Sequence, residues 1–226
     1  MPIQVLDTNI IVALAEPMGT VPNPSSFFES EAFEDLLSPG LRYSQGVTVD
    51  LTRNVAAPIV FAESMRSQKS AGLAPSRIEV HDLAAEPDVE HSVLPDLLYQ
   101  IVTNLPSIHP QAIGANHEVQ FRADNNETAA RAIGNRVLPN EERFAPPGFH
   151  LVAGGVRYGV RGEDGVIYTV AIEPRLNNPE THNVWMSCNG NIDTTELPSV
   201  DQLLSLLSEG HRILHHALNS FFSDRL

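Results

Sequence analysis

The sequence holds a single cysteine, Cys188, so no internal disulfide can form and no pair of thiols is available for redox exchange or a thiolate metal site. Basic residues are few: 14 Lys and Arg stand against 28 Asp and Glu, and a formal charge of −14 repels phosphate backbones and anionic headgroups. Nucleic acid is thereby disfavoured as a partner, and a membrane surface with it. No apolar run approaches the ~20 residues of a membrane span. The stretch Met1 to Ala15 lacks a basic region and carries Asp7 and Asn9 within its apolar residues, a poor signal peptide, so the expected location is the cytoplasm. Also missing are a Gly-x-Ser-x-Gly elbow and a Walker lysine motif, which removes several common enzyme classes.

What the sequence does contain is alternation. Val47, Val49 and Leu51 interleave with Thr48, Asp50 and Thr52, and Ile78 and Val80 with Arg77, Glu79 and His81. Ala115 to Arg122 and Val166 to Ile172 repeat the pattern. These are strands with one wet face, and a succession of them implies an antiparallel sheet. Asp164-Gly165 predicts a hairpin turn, with Pro174 ending its second strand. Leu94, Leu97, Leu98, Ile101 and Leu105 have helical spacing. A helix capped by Asn126 is expected from Glu127 to Leu138. The last helix starts at the N-cap candidate Ser199 and carries Val200, Leu203, Leu204, Leu207, Leu214, Leu218 and Phe221 on one stripe, with His211 packed inside it.

In order, the predicted elements are strand 3–15, helix 30–37, strands 46–52, 58–65 and 77–83, and helix 94–105. A similar set follows: strand 115–122, helix 127–138, strands 149–160, 166–173 and 183–189, and helix 199–222. A shift of 106 residues lays Ile78 on Val184, Val80 on Met186, Leu94 on Val200, Leu97 on Leu203, Leu98 on Leu204 and Ile101 on Leu207. The expectation is an α+β fold, a mainly antiparallel sheet with helices on one face, in one compact domain over 1–226. Two βαβββα repeats related by a pseudo-twofold, 1–106 and 115–226, would build it.

Candidate chemistry is sparse. His211 and His215, four apart on a helix, have the spacing of a two-histidine metal site, but His211 lies within the apolar stripe, where a packed imidazole is the commoner outcome. Gly154-Gly155 lacks the following helix of a phosphate loop and reads as a bulge or a close backbone approach. Cys188 is expected to pack beside Met186. Trp185 alternates out of phase with Val184 and Met186, so it should lie on the opposite sheet face and is a candidate partner anchor. No catalytic or cofactor-binding residue is assigned.

Two local resemblances accompany these readings. Val5-Leu6-Asp7-Thr8-Asn9-Ile10-Ile11-Val12-Ala13-Leu14 resembles the start of PIN-domain ribonucleases, in which an aspartate ending the first strand helps hold a divalent metal. That resemblance implies a metal-dependent ribonuclease using Asp7 and Glu63, with Asp96 and Asp124 as further carboxylates, whereas the alternating strands over 46–83 speak against the parallel sheet of that family. The stretch Tyr168 to Pro174, the strand 183–189 and a helix carrying Leu214 to Phe222 resemble a sporadically distributed, uncharacterised bacterial family, which implies a bacterial or phage-borne protein. With no dense catalytic constellation, the leading expectation is a non-enzymatic binding or scaffold protein that holds a protein or peptide partner. The metal-dependent nuclease is the alternative.

Overall fold

The computed structural model describes residues 6–15, 21–37, 40–50, 55–84, 88–105, 108–123, 127–137, 154–175 and 180–222. The chain divides into two compact units. The N unit comprises Thr8–Asn116 and Asn191–Ser208, and the C unit Met1–Asp7, His117–Gly190 and Glu209–Leu226. These are interleaved stretches rather than consecutive halves. The fold is α+β, with antiparallel strands and, among the described residues, five helices.

The N unit contains the strands β1 (Leu6–Ala15, from Thr8 onward), β2 (Leu41–Asp50), β3 (Val55–Ser64), β4 (Lys69–Ala74) and β5 (Arg77–Asp82). Their order is β2-β3-β4-β5-β1, and each pair is antiparallel. Its helices are α1 (Pro24–Phe28), the short α2 (Glu34–Leu37) after a 3₁₀ turn at Glu31–Phe33, and α3 (Leu94–Asn104). The register sorts the side chains. Val60, Leu73 and Ile78 stand in one row and Ala62, Ala71 and Val80 in the next. Of these, Ala62, Ala71, Leu73, Ile78 and Val80 are fully buried. The stripe of Leu94, Leu97, Leu98 and Ile101 on α3, equally buried, packs toward β5. Pro95 sits in the first turn of α3, where its missing amide is no loss.

The C unit contains the latter part of β6 (Pro110–Arg122), β7 (Val156–Arg161), β8 (Ile167–Pro174) and most of β9 (Asn183–Asp193), in the order β6-β9-β8-β7. With them go α4 (Ala129–Val137) and the larger part of α5 (Val200–Phe222). Val170 pairs with Cys188 and Ile172 with Met186, all four buried on the helix side. Tyr168 pairs with Gly190, and a side chain at 190 would begin 2.3 Å from the tyrosine ring, so only glycine allows that ring to lie against β9. The Tyr168 hydroxyl donates to Asp164 Oδ2 at 2.6 Å, tying the β7–β8 loop to the strand it precedes.

Several boundaries differ from the sequence reading. β4 is an additional strand: Lys-Ser-Ala-Gly-Leu-Ala offers small residues of weak strand preference, and cross-strand pairing decides the matter. The first predicted helix corresponds to the 3₁₀ turn at Glu31–Phe33 and α2, and α1 precedes it as an additional helix beginning at Pro24, with Asn23 Oδ1 accepting from the Ser25 amide at 3.0 Å. Asn126 lies outside the described residues; α4 starts at Ala129, and Thr128 Oγ1 takes the Arg131 amide at 3.4 Å. The β7–β8 loop runs over residues 162–166, longer than a two-residue turn, with only Gly165 at positive φ, +82°. The capping of α5 is reciprocal: the Gln202 amide donates to Ser199 Oγ at 3.3 Å and the Ser199 amide to Gln202 Oε1 at 2.9 Å. Its buried stripe includes Leu203, Leu206, Leu207, Ile213, Leu214, Ala217, Leu218 and Phe222; Phe222 replaces the half-buried Phe221, and His211 is only half-buried.

Truncation on α5 tests this packing. Leu207→Ala should cost about 2 to 5 kcal/mol, the usual range for a buried leucine, whereas exposed Ser205→Ala should be neutral or slightly stabilising because alanine is the better helix former. Urea denaturation of the two variants checks it, and equal midpoints would contradict the burial of the helix.

Candidate partner-binding surface

In the N unit the face turned away from α3 is set by the same register. Arg42, Glu63, Ser70 and His81 form one row, Ser44, Phe61, Gly72 and Glu79 the next, and Gly46 stands opposite Ile59. A Cβ at Gly72 would lie 2.5 Å from the Phe61 ring, so the absent side chain lets phenylalanine lie flat on the sheet. Phe61 meets His81 edge-on, with ring centroids 5.6 Å apart. Glu79, 7% exposed, accepts from His81 Nε2 at 3.0 Å and pairs with the Arg77 guanidinium. Burial alone would raise the Glu79 carboxyl. The hydrogen bond from His81 and the charges of Arg77 and His81 together outweigh it and hold the carboxyl below its ordinary range. At the outer side of this face the Ser44 hydroxyl donates to Glu63 Oε1 at 2.7 Å.

The face ends at β2, which pairs with β3 along its whole length from Leu41 to Asp50 and is the outermost strand of the order. Among the described residues no strand pairs with its other side. Val47 is 76% and Tyr43 38% exposed, and Ser44 and Gln45 are exposed between them. Tyr43 is steadied by donating its hydroxyl to Glu29 Oε1 at 3.1 Å; burial first, and then the Glu29 bond and charge, push its phenol up to about 12. Sequence reasoning missed this edge because alternation shows that a strand has two faces but not that one of its sides is unpaired.

The sequence-predicted site residues are dispersed. Asp7 belongs to β1, but its side chain lies outside what is described, as does all of Asp124. Glu63 stands on the face of β3 away from α3, bonded to Ser44, whereas Asp96 is exposed in the first turn of α3. Among the described residues no group of three His, Cys, Asp or Glu side chains is arranged to hold a metal ion. In the C unit the His211 and His215 rings lie tilted at 39° with centroids 4.2 Å apart, and His117, buried on β6, meets His211 at 5.8 Å. Cys188 is buried beside Met186; burial, and then the charge of Glu209, pushes its thiol up to about 12, so it is poorly suited to nucleophilic or redox chemistry. Trp185 is half-buried opposite Glu173, on the face away from Val184 and Met186. Near it, a Cβ at Gly155 would lie 2.7 Å from the Glu173 side chain, the close approach expected of the glycine pair.

No family model matches the chain, and no curated protein matches it. One solved structure that aligns along the chain is "Methanococcus jannaschii TBP", at 11% identity over 94% of this chain and 99% of that one, with a TM-score of 0.25; so loose a superposition carries no argument about fold or function. Among the described residues no helix is long and apolar enough to cross a membrane.

The Glu79 cluster predicts a pH dependence. A carboxyl depressed by folding contributes stability above the unfolded glutamate range, and that stability is lost as pH falls through the depressed value. Glu79→Gln should therefore destabilise at neutral pH and cost progressively less as pH is lowered below about 4. Urea midpoints of both proteins across that range check it; a gap independent of pH would contradict it.

Proposed function

We propose that this chain is a non-enzymatic binding protein that captures an extended segment of a protein partner along the free side of β2. The observation that carries the reading is that edge. A ten-residue strand, paired on one side only, presents a row of backbone donors and acceptors to solvent. Edges of this kind are usually blunted by central charges, proline or shortness. β2 has no proline and no lysine, its two charged residues, Arg42 and Asp50, stand near its ends, and its exposed middle carries valine. β7, the outermost strand of the C unit, is different: it has six residues, and its exposed side chains include Arg157 and Arg161.

Strand addition supplies affinity through main-chain hydrogen bonds and selectivity through alternate side chains, which requires no catalytic group. The side chains flanking the edge fit this use, with Tyr43 and Val47 as apolar contacts on one face and Ser44 as a polar contact on the other. Trp185 would add an anchor on the C unit. The formal charge of −14 supports a protein rather than a nucleic acid or an anionic membrane as partner, and the lone buried cysteine suits the reducing cytoplasm.

An array of ten-residue peptides with alternating polar and apolar residues, read by fluorescence polarisation, tests the reading. The wild-type chain should bind a subset of them, and Val47→Lys, which places a charge in the middle of the edge, should weaken that binding at least about tenfold, or ~1.4 kcal/mol, with circular dichroism unchanged. Equal binding by Val47→Lys would remove the edge from the account.

A further inference from the structure

We infer that the segment captured by β2 is β2 of a second copy of the same chain, paired antiparallel about a twofold axis at Gly46; this rests on the reading of β2 as a docking edge. The sequence of the strand, Leu-Arg-Tyr-Ser-Gln-Gly-Val-Thr-Val-Asp, carries two charges of opposite sign, four residues to either side of Gly46. Setting Gly46 opposite Gly46 of the second copy places position 42 opposite position 50, twice by symmetry, so a basic and an acidic residue share a register position at both ends of the pairing. The same register sets Tyr43 opposite Val49, Ser44 opposite Thr48 and Gln45 opposite Val47. No other symmetric register joins the two charges. An axis at Gln45 sets Arg42 opposite Thr48, and an axis at Ser44 sets it opposite Gly46.

The pairing is compatible with the faces already in place. Positions 42, 44, 46, 48 and 50 alternate with 43, 45, 47 and 49, and an axis through position 46 pairs even with even and odd with odd. Each face of β2 therefore continues into the like face of the second copy. Gly46 lies in contact range of Ile59 and Phe61, where an added Cβ would be 3.3 Å and 3.4 Å from their side chains. At the axis, where the two strands are related by symmetry, neither copy brings a side chain that must be accommodated. The exposed Val47 gains an apposed side chain, and the outward-pointing backbone groups at alternate positions between 42 and 50 are satisfied on both copies at once.

Sedimentation equilibrium of the full chain from nanomolar to millimolar concentration tests the inference, with charge exchange as the discriminating step. The wild type should pass reversibly from 24.7 kDa to twice that mass. Arg42→Asp alone and Asp50→Arg alone should each weaken the dimer about 5- to 30-fold by opposing like charges at two symmetric places, and the double exchange should restore it. Single exchanges that leave the mass unchanged, or a double exchange that fails to restore it, would overturn the proposed register. A labelled peptide of residues 41–50, added to dilute chain, separates this inference from the reading beneath it. A chain that stays monomeric at every concentration while still binding arrayed peptides through β2 loses the second copy and keeps the edge. A chain that neither dimerises nor binds any peptide loses both.

Discussion

The packing of Ile78 and Val80 against the leucine stripe of α3 is the interaction on which the rest of the N unit depends. Both side chains are fully buried, as are Leu94, Leu97, Leu98 and Ile101, and each such side chain is worth roughly 1.5 to 3 kcal/mol by transfer from water. Because successive strand residues point to opposite faces, burying those two turns Arg77, Glu79 and His81 the other way. The antiparallel register carries the choice outward through β4 and β3 to β2, where it decides which exposed residues share a face. A slip of one residue in β5 would bury Glu79 against leucines, and the charge cluster it forms with Arg77 and His81 would have no place.

That dependence explains what could be read from the sequence and what could not. The alternation in 77–83 and 115–122 and the helical spacing of 94–105 are direct consequences of one-sided burial, and they give the α+β class and the antiparallel sheet. That Trp185 lies on the face away from Val184 and Met186 follows from the same rule. β4 carries too little of this signal: Ser70, Ala71, Gly72 and Ala74 are small, and what makes them a strand is pairing with β3 on one side and β5 on the other. Gly72 is informative only once Phe61 is seen to need the space above it. On α5 the boundary choice between Phe221 and Phe222 turned on a helix of 23 residues, over which small errors in the assumed period accumulate; Phe222 is the buried one, meeting Phe121 at 4.9 Å.

The candidate carboxylates illustrate a different limit. Spacing along the chain does not show whether acids on different elements converge: Glu63 is held by Ser44 on the face away from α3, whereas Asp96 is exposed on α3 itself. The edge of β2 was equally illegible, because strand order depends on contacts between residues far apart in sequence. Its composition, however, was present from the start. Charges confined to the ends of a ten-residue strand, with valine in its exposed middle, are unusual for an edge facing solvent and suit one that receives another strand.

Docking on β2 requires its outward side to be open in the isolated chain, and residue-resolved amide hydrogen exchange on a dilute sample measures that directly. Amides of β2 that bond to β3 should exchange slowly and those that point outward fast, giving a two-residue alternation over 41–50, while β4, paired on both sides, should be slow throughout. Uniformly slow exchange along β2 in the dilute chain would show that its edge is already covered, and would contradict the account.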